Sequence, residues 1–128
     1  MPAPDSPGSS PVTAPWQWQL VRADLEPVRG SEQAGVRPVL IVSAEASNRA
    51  LPIVTVLAVT SLKAGRRIYS TEALLPAGAA GQPRESLVMA QQIRVLDKAR
   101  LIGSYGRVTD EGVRQNVRAA LRRYLDLE

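Results

Sequence analysis

Two short apolar segments constrain the fold of this chain more than any other feature. Residues 39–42 read Val-Leu-Ile-Val and residues 52–60 read PIVTVLAVT. Both are rich in β-branched side chains, and both are far shorter than the roughly 20 apolar residues of a membrane-spanning helix. They therefore predict two buried strands of a sheet. Pro38 stands at the start of the first strand, where a missing backbone N–H is tolerated best.

Local patterns predict further strands and short helices along the rest of the chain. Residues 44–50 favour a short helix or turn capped by Ser43 or Ser47. Five or six short strands followed by a terminal helix predict an α+β fold, a small curled antiparallel sheet or barrel with helices on one side. The additional strands are expected at residues 16–25, 68–75, 86–95 and 104–108.

The C-terminal segment predicts a helix over residues 110–127, with Thr109 as its N-cap. Its apolar residues follow helical spacing and form one face. Arg114, Arg118 and Arg122 form a basic stripe at intervals of four residues. We expect this stripe to be a solvated face, in preference to a nucleic-acid groove.

The first 15 residues differ in composition from the rest of the 128-residue chain. They contain five of its ten prolines and several serines. Such a composition is typical of a disordered or polyproline-like tail. We therefore predict a disordered Pro-rich tail over residues 1–15 and one folded domain over residues 16–128.

Composition excludes several classes of site. The chain contains no Cys and no His, so it has no disulfide, no thiol nucleophile, no Ser-His couple and no histidine zinc site. We expect no cofactor and no metal. The net charge of +4 permits an anionic partner such as nucleic acid. Without a membrane segment or a signal-peptide pattern, a soluble cytoplasmic protein is expected.

A glycine-containing loop, residues 26–37, precedes the first apolar strand. A guanidinium binds phosphate well, and Thr60 and Ser61 at the end of the second apolar strand are expected to come near Arg37. The residues alone leave two interpretations open, an anion-binding loop or a set of surface salt bridges. The candidate side chains that the loop carries are Arg29, Glu32, Gln33 and Arg37.

The segment RGSEQAGVRPVLIVS, residues 29–43, resembles the signature loop of the MazF/PemK/Kid toxins. The similarity covers the chain from about residue 20 to the C-terminus. It continues in order through Asn48-Arg49, Thr60-Ser61, Gln92-Ile93-Arg94, residues 96–101 and Thr109-Asp110-Glu111. One departure is Gln91, which stands where an acidic residue is common in the family.

The resemblance implies a small SH3-like antiparallel barrel with a C-terminal helix, working as a homodimer. It also implies a metal-independent, sequence-specific endoribonuclease that cuts single-stranded RNA, chiefly mRNA, and is inhibited by a cognate MazE-like antitoxin. The alternative is a toxin on the same fold that poisons DNA gyrase without cutting RNA.

The resemblance also implies roles for particular residues. Arg37 and Thr60 occupy catalytic positions, and Glu32 is the acidic member of the motif. RNA supplies its own nucleophile, the 2′-hydroxyl, so the enzyme has to position the reacting atoms and stabilise the charge of the phosphorane. The general acid and base stay open between Arg37 and Glu32. Ser31, Gln33 and Gln92 would line the RNA groove. Arg29 and Ser61, which belong to the anion-binding interpretation of the residues alone, complete the predicted substrate-binding set.

Overall fold

The computed structural model describes residues 6–26, 30 and 35–127. Its order of elements matches the predicted alternation of short strands followed by a terminal helix. In chain order the elements are β1 (Gln19–Asp24), β2 (Val36–Ile41), α1 (Glu45–Ala50), β3 (Ile53–Ser61), β4 (Glu72–Leu75), β5 (Ser86–Asp97), a 3₁₀ turn (Lys98–Arg100), β6 (Leu101–Arg107) and α2 (Glu111–Leu125).

The six strands form one antiparallel sheet in the order β4-β5-β3-β2-β1-β6. The predicted α+β class is confirmed. The sheet is open, because no ladder joins β4 to β6 within the described ranges, so closure into a barrel by hydrogen bonds is absent there. In this part of the chain no helix is long and apolar enough to cross a membrane.

The two faces of the sheet carry separate apolar clusters. Successive side chains of a strand point to opposite faces, so neighbouring residues fall in different clusters. Leu40 and Leu57 lie in the cluster that includes residues of α2. Val39 and Val56 lie in the second cluster, against which Trp16 packs. The aliphatic strands therefore supply both faces, as expected for strands buried on both sides.

Helix α2 begins at Glu111, and its N-cap is Asp110, whose carboxylate accepts a hydrogen bond from the backbone N–H of Val113 at 3.1 Å. The predicted Thr109 cap was therefore wrong by one residue.

The expectation that the basic stripe of α2 is solvated was also wrong in part. The guanidinium groups of Arg114 and Arg118 lie 5.3 and 5.1 Å from the centre of the Trp18 ring, so they pack on the fold.

The start of α1 also differs from the prediction. Its N-cap is Ala44, which makes no side-chain capping bond. The Ser43 hydroxyl donates to Asn48 Oδ1 and accepts a hydrogen bond from the backbone N–H of Thr55. Ser43 thus ties α1 to β3 instead of capping the helix.

The N-terminal segment, residues 6–15, packs on the sheet, so the prediction of a disordered tail was wrong for these residues. Ser10 pairs with Ser104 of β6 through two backbone hydrogen bonds. Arg22 donates to the carbonyl of Gly8 at 2.9 Å, and the Gln19 amide donates to two further carbonyls of the segment. Polar side chains of β1 therefore hold the backbone of the N-terminal segment. Residues 1–5 lie outside the described part, and for them disorder stays a prediction.

Candidate active site

Arg37 and Thr60 lie at the adjoining ends of β2 and β3. Val39 pairs with Ala58 in the ladder between these strands, and the same register carried two residues further places Arg37 opposite Thr60. Strand alternation places both side chains on one face of the sheet. Arg37 is exposed and Thr60 is half-buried. The predicted approach of these two residues is therefore present in the structure.

An open cleft of about 210 Å³ surrounds these strand ends. Ser61, the third predicted residue of the described part, lines it with Arg37 and Thr60. Lys63 is a further cation in the cleft that the sequence analysis did not select. Within the described ranges its amino group makes no hydrogen bond or ion pair, so it is available to an anion.

Four predicted residues lie outside the described part of the chain. They are Arg29, Ser31, Glu32 and Gln33, all in the connection between β1 and β2. Their roles stay predictions. The two ends of that connection are held together, since the Leu25 N–H donates to the Gly35 carbonyl at 3.0 Å. Gly35 has φ +75°, which a glycine adopts without strain.

Two arginines from later parts of the chain hold the start of the same connection. Arg94 of β5 donates to the carbonyl of Leu25 at 3.2 Å. Arg100 of the 3₁₀ turn donates to the carbonyl of Asp24 at 3.2 Å. Charge-assisted bonds of this kind are stronger than neutral ones, so they position the root of the loop beside Arg37. The spacing of arginines in the sequence gives no sign of these contacts, because they join residues about 70 positions apart.

Gln92 lines a separate, smaller depression of about 80 Å³. The ladder between β3 and β5 shifts between Leu57 and Ala58, so residues 90–92 form a bulge. The paired residues Val39 and Ala58 line this depression, and they are the next pair on the same face after Arg37 and Thr60. The structure therefore places Gln92 beside the cleft but not in it.

A buried carboxylate supports the connection that carries Lys63. Glu72 accepts two hydrogen bonds from Arg66, one from the backbone N–H of Tyr69 and one from the Gln91 amide. Burial acts to raise the pKa of Glu72, but these hydrogen bonds and the charge of Arg66 outweigh it, so the pKa lies below its ordinary value. Sequence reasoning missed Glu72, because nothing local marks a carboxylate that will be buried.

The arrangement can bind a phosphate and stabilise added negative charge. It presents a guanidinium, a hydroxyl and an ammonium from strand ends and an adjoining turn. Preorganised groups of this kind stabilise negative charge that develops in a transition state. Within the described ranges, no group of three or more acidic side chains is placed to hold a metal ion.

Comparisons with known proteins identify the family of the chain. A family model described as "PemK-like, MazF-like toxin of type II toxin-antitoxin system" matches residues 17–125. Endoribonuclease EndoA of Bacillus subtilis is 39% identical over 89 residues, which cover 70% of this chain and 76% of the relative.

Solved structures share the fold over most of the chain. MazF of Deinococcus radiodurans superposes with a TM-score of 0.74 and 29% identity, covering 91% of this chain and 100% of that one. An endoribonuclease from Mycobacterial species, solved in complex with its cognate antitoxin, gives a TM-score of 0.72 and 29% identity, covering 90% and 98%. The chain therefore belongs to the PemK-like, MazF-like toxins of type II toxin–antitoxin systems.

Proposed function

We propose that this toxin is a sequence-specific, metal-independent endoribonuclease that cuts single-stranded RNA, chiefly mRNA. The observation that carries the proposal is the position of Arg37 opposite Thr60 in an open cleft. Membership of the toxin family and the similarity to endoribonuclease EndoA support it.

The reaction follows from the chemistry of RNA. The 2′-hydroxyl oxygen attacks the adjacent phosphorus, the bond from phosphorus to the 5′-oxygen breaks, and the products carry a 2′,3′-cyclic phosphate and a 5′-hydroxyl. Arg37 binds the non-bridging oxygens and the Thr60 hydroxyl donates a further hydrogen bond, which together stabilise the phosphorane. Lys63 adds positive charge at the same cleft.

Two protons have to move in this reaction. A base removes the proton of the 2′-hydroxyl, and an acid protonates the departing 5′-oxygen. A guanidinium hardly deprotonates in proteins, so Glu32 is the better candidate for the base. Arg29, Ser31, Gln33, Ser61 and Gln92 complete the proposed substrate-binding set.

We propose two protein partners, a second copy of this chain and a MazE-like antitoxin. The mycobacterial relative was solved with its cognate antitoxin, which supports the second. Exposed apolar side chains support the first: Ile53 and Val95 lie on one face of the β3–β5 pair, and exposed Leu51 adjoins them. We place the protein in the cytoplasm, where its RNA substrate is made.

Cleavage of RNA in excess EDTA tests the proposed function. Wild-type protein should cut, whereas Arg37→Ala and Thr60→Ala should each be slower by about 10²–10³, the usual loss for one stabilising donor. Arg122→Ala, which removes an exposed arginine of α2, is the matched control and should cut at the wild-type rate.

Two results would contradict the proposal, namely no cleavage by the wild type or equal cleavage by Arg37→Ala. Inhibition of gyrase supercoiling with RNA left intact would assign the protein to the alternative class of toxin.

A further inference from the structure

A second cleft, of about 190 Å³, adjoins the one that holds Arg37 and Thr60. The two clefts share Pro38, Val59 and Ser61. By strand alternation these shared residues face away from Arg37 and Thr60. The second cleft therefore begins where the first ends, around the ends of β2 and β3.

Close backbone contacts build the walls of this second cleft. A Cβ on Gly81 would lie 2.1 Å from the carbonyl oxygen of Tyr105, and one on Gly103 would lie 2.1 Å from the carbonyl oxygen of Gly8. A Cβ on Gly8 would lie 3.0 Å from the Tyr105 ring. Glycines thus allow the N-terminal segment, the 76–84 loop and β6 to meet around Tyr105.

Gln82 fixes the shape of the 76–84 loop. Its side chain is buried, and its amide N–H groups donate to the carbonyls of Leu75, Pro76 and Arg84. Its side-chain oxygen accepts a hydrogen bond from the Ala80 N–H at 3.0 Å. The wall is therefore formed before any ligand arrives, which lowers the cost of ordering on binding.

The lining of the second cleft is apolar, with one aromatic ring and one cation. Half-buried Pro38 and exposed Pro83 contribute apolar surface over the core residues Leu20 and Val59, and half-buried Tyr105 contributes its ring. Arg84 is exposed, and its guanidinium makes no hydrogen bond or ion pair with any other described residue. A cavity of about 150 Å³ accommodates a benzene molecule, so this cleft has room for a single planar ring.

We infer that the second cleft binds one unpaired nucleobase of the RNA, next to the scissile phosphate; this rests on the proposed function. Sequence-specific recognition of RNA uses splayed-out bases that stack on aromatic rings or on arginine planes. Tyr105 supplies an aromatic ring and Arg84 supplies a guanidinium plane. The second cleft, which they line, adjoins the cleft that holds Arg37 and Thr60. The cations Arg84 and Lys63 favour RNA over an apolar peptide segment as the occupant.

Removal of single bases tests this inference. The probe is a fluorescein-labelled RNA oligonucleotide that contains the mapped cleavage site, blocked there by a 2′-O-methyl group. A set of such probes carries one abasic position each, and fluorescence anisotropy measures Kd. For wild-type protein, an abasic site at one position adjoining the scissile phosphate should weaken binding by about tenfold, the typical loss of one stacked base.

Variants assign that base to the cleft. In Tyr105→Leu, which removes the ring but keeps an apolar side chain, the same abasic site should change Kd by less than about twofold because the stacking surface is gone. Arg84→Ala, which removes an exposed side chain, should also reduce the change in Kd that the abasic site causes. Tyr105→Phe and the matched control Arg122→Ala should keep the full wild-type effect.

Suppose that the wild-type protein cuts RNA, but that Tyr105→Leu and Arg84→Ala lose as much affinity at each abasic position as the wild type does. That result would overturn the nucleobase site and leave the proposed function intact. A wild-type protein that neither cuts nor binds RNA would overturn both.

Discussion

Glu72 and Arg66 form a two-pronged ion pair, with Nη1 2.9 Å from Oε1 and Nη2 2.8 Å from Oε2. The Glu72 side chain is 0% exposed and that of Arg66 is 26% exposed. A planar guanidinium matches a carboxylate in this geometry. The pair joins Arg66, in the connection between β3 and β4, to Glu72 at the start of β4. That connection begins at the cleft with Lys63.

Arg66→Ala should destabilise the protein strongly. It leaves the Glu72 carboxylate buried without its main partner, and breaking a buried pair in this way typically costs about 3 kcal/mol. Urea denaturation measures the loss. Arg67→Ala, which removes an exposed neighbouring arginine, is the matched control and should cost under about 1 kcal/mol. Equal losses in the two variants would contradict the structural role of the pair.

Glu72 should also make stability depend on acid pH. Its pKa is lower in the folded protein than the ordinary 4.5, because hydrogen bonds from Arg66, Tyr69 and Gln91 overcome the opposing effect of burial. The stabilisation is therefore complete above the ordinary carboxyl range and is lost as pH falls through the lowered value.

Melting temperatures between about pH 7 and pH 2 should consequently fall less steeply for Glu72→Gln than for the wild type. Glu45, whose pKa is also lowered, should preserve part of the slope in both proteins. Parallel curves of melting temperature against pH for the two proteins would show that Glu72 does not contribute to the pH dependence of stability.

Gln91→Glu should destabilise the protein at neutral pH. The Gln91 amide donates to Glu72 Oε2 at 2.7 Å, so a carboxylate there would face a second carboxylate without a proton between them. The deficit in melting temperature relative to the wild type should shrink below about pH 5, where the two groups share a proton. Gln91→Ala removes the hydrogen bond without the repulsion, and its deficit should not vary in this way. A Gln91→Glu protein as stable as the wild type at pH 7 would contradict the assignment.

Gly81→Ala should cost more stability than Gly78→Ala. Both glycines have positive φ, +84° and +80°, so both variants carry the roughly 1–2 kcal/mol cost of a left-handed residue. Only at Gly81 does the new Cβ also meet a backbone atom, the Tyr105 carbonyl oxygen. The difference between the two variants in chemical denaturation isolates that contact. Equal losses would mean that the 76–84 loop does not lie against β6 as described.

The sequence predicted the central pair of the site because the information is local. Apolar runs marked β2 and β3, and their succession along the chain implied that Arg37 and Thr60 would meet at the strand ends. The family resemblance then distinguished these two residues from other polar side chains near them.

Contacts between distant parts of the chain could not be predicted in this way. Arg94 and Arg100 reach carbonyls at the end of β1, and Glu72 is buried only because β4 pairs with β5. The N-terminal segment was misjudged for a similar reason. Its composition is that of a disordered tail, but Arg22 and Gln19 bind its carbonyl groups, which composition does not reveal.

Blocking the 2′-hydroxyl at one mapped cleavage site tests the central claim most directly. If Arg37 and Thr60 promote attack by that hydroxyl, unmodified RNA should yield a 2′,3′-cyclic phosphate and a 5′-hydroxyl in EDTA. RNA with a single 2′-O-methyl group at the site should remain uncut there while other sites are cleaved normally. Cleavage of the methylated site at the unmodified rate, with a 5′-phosphate on the product, would contradict the account.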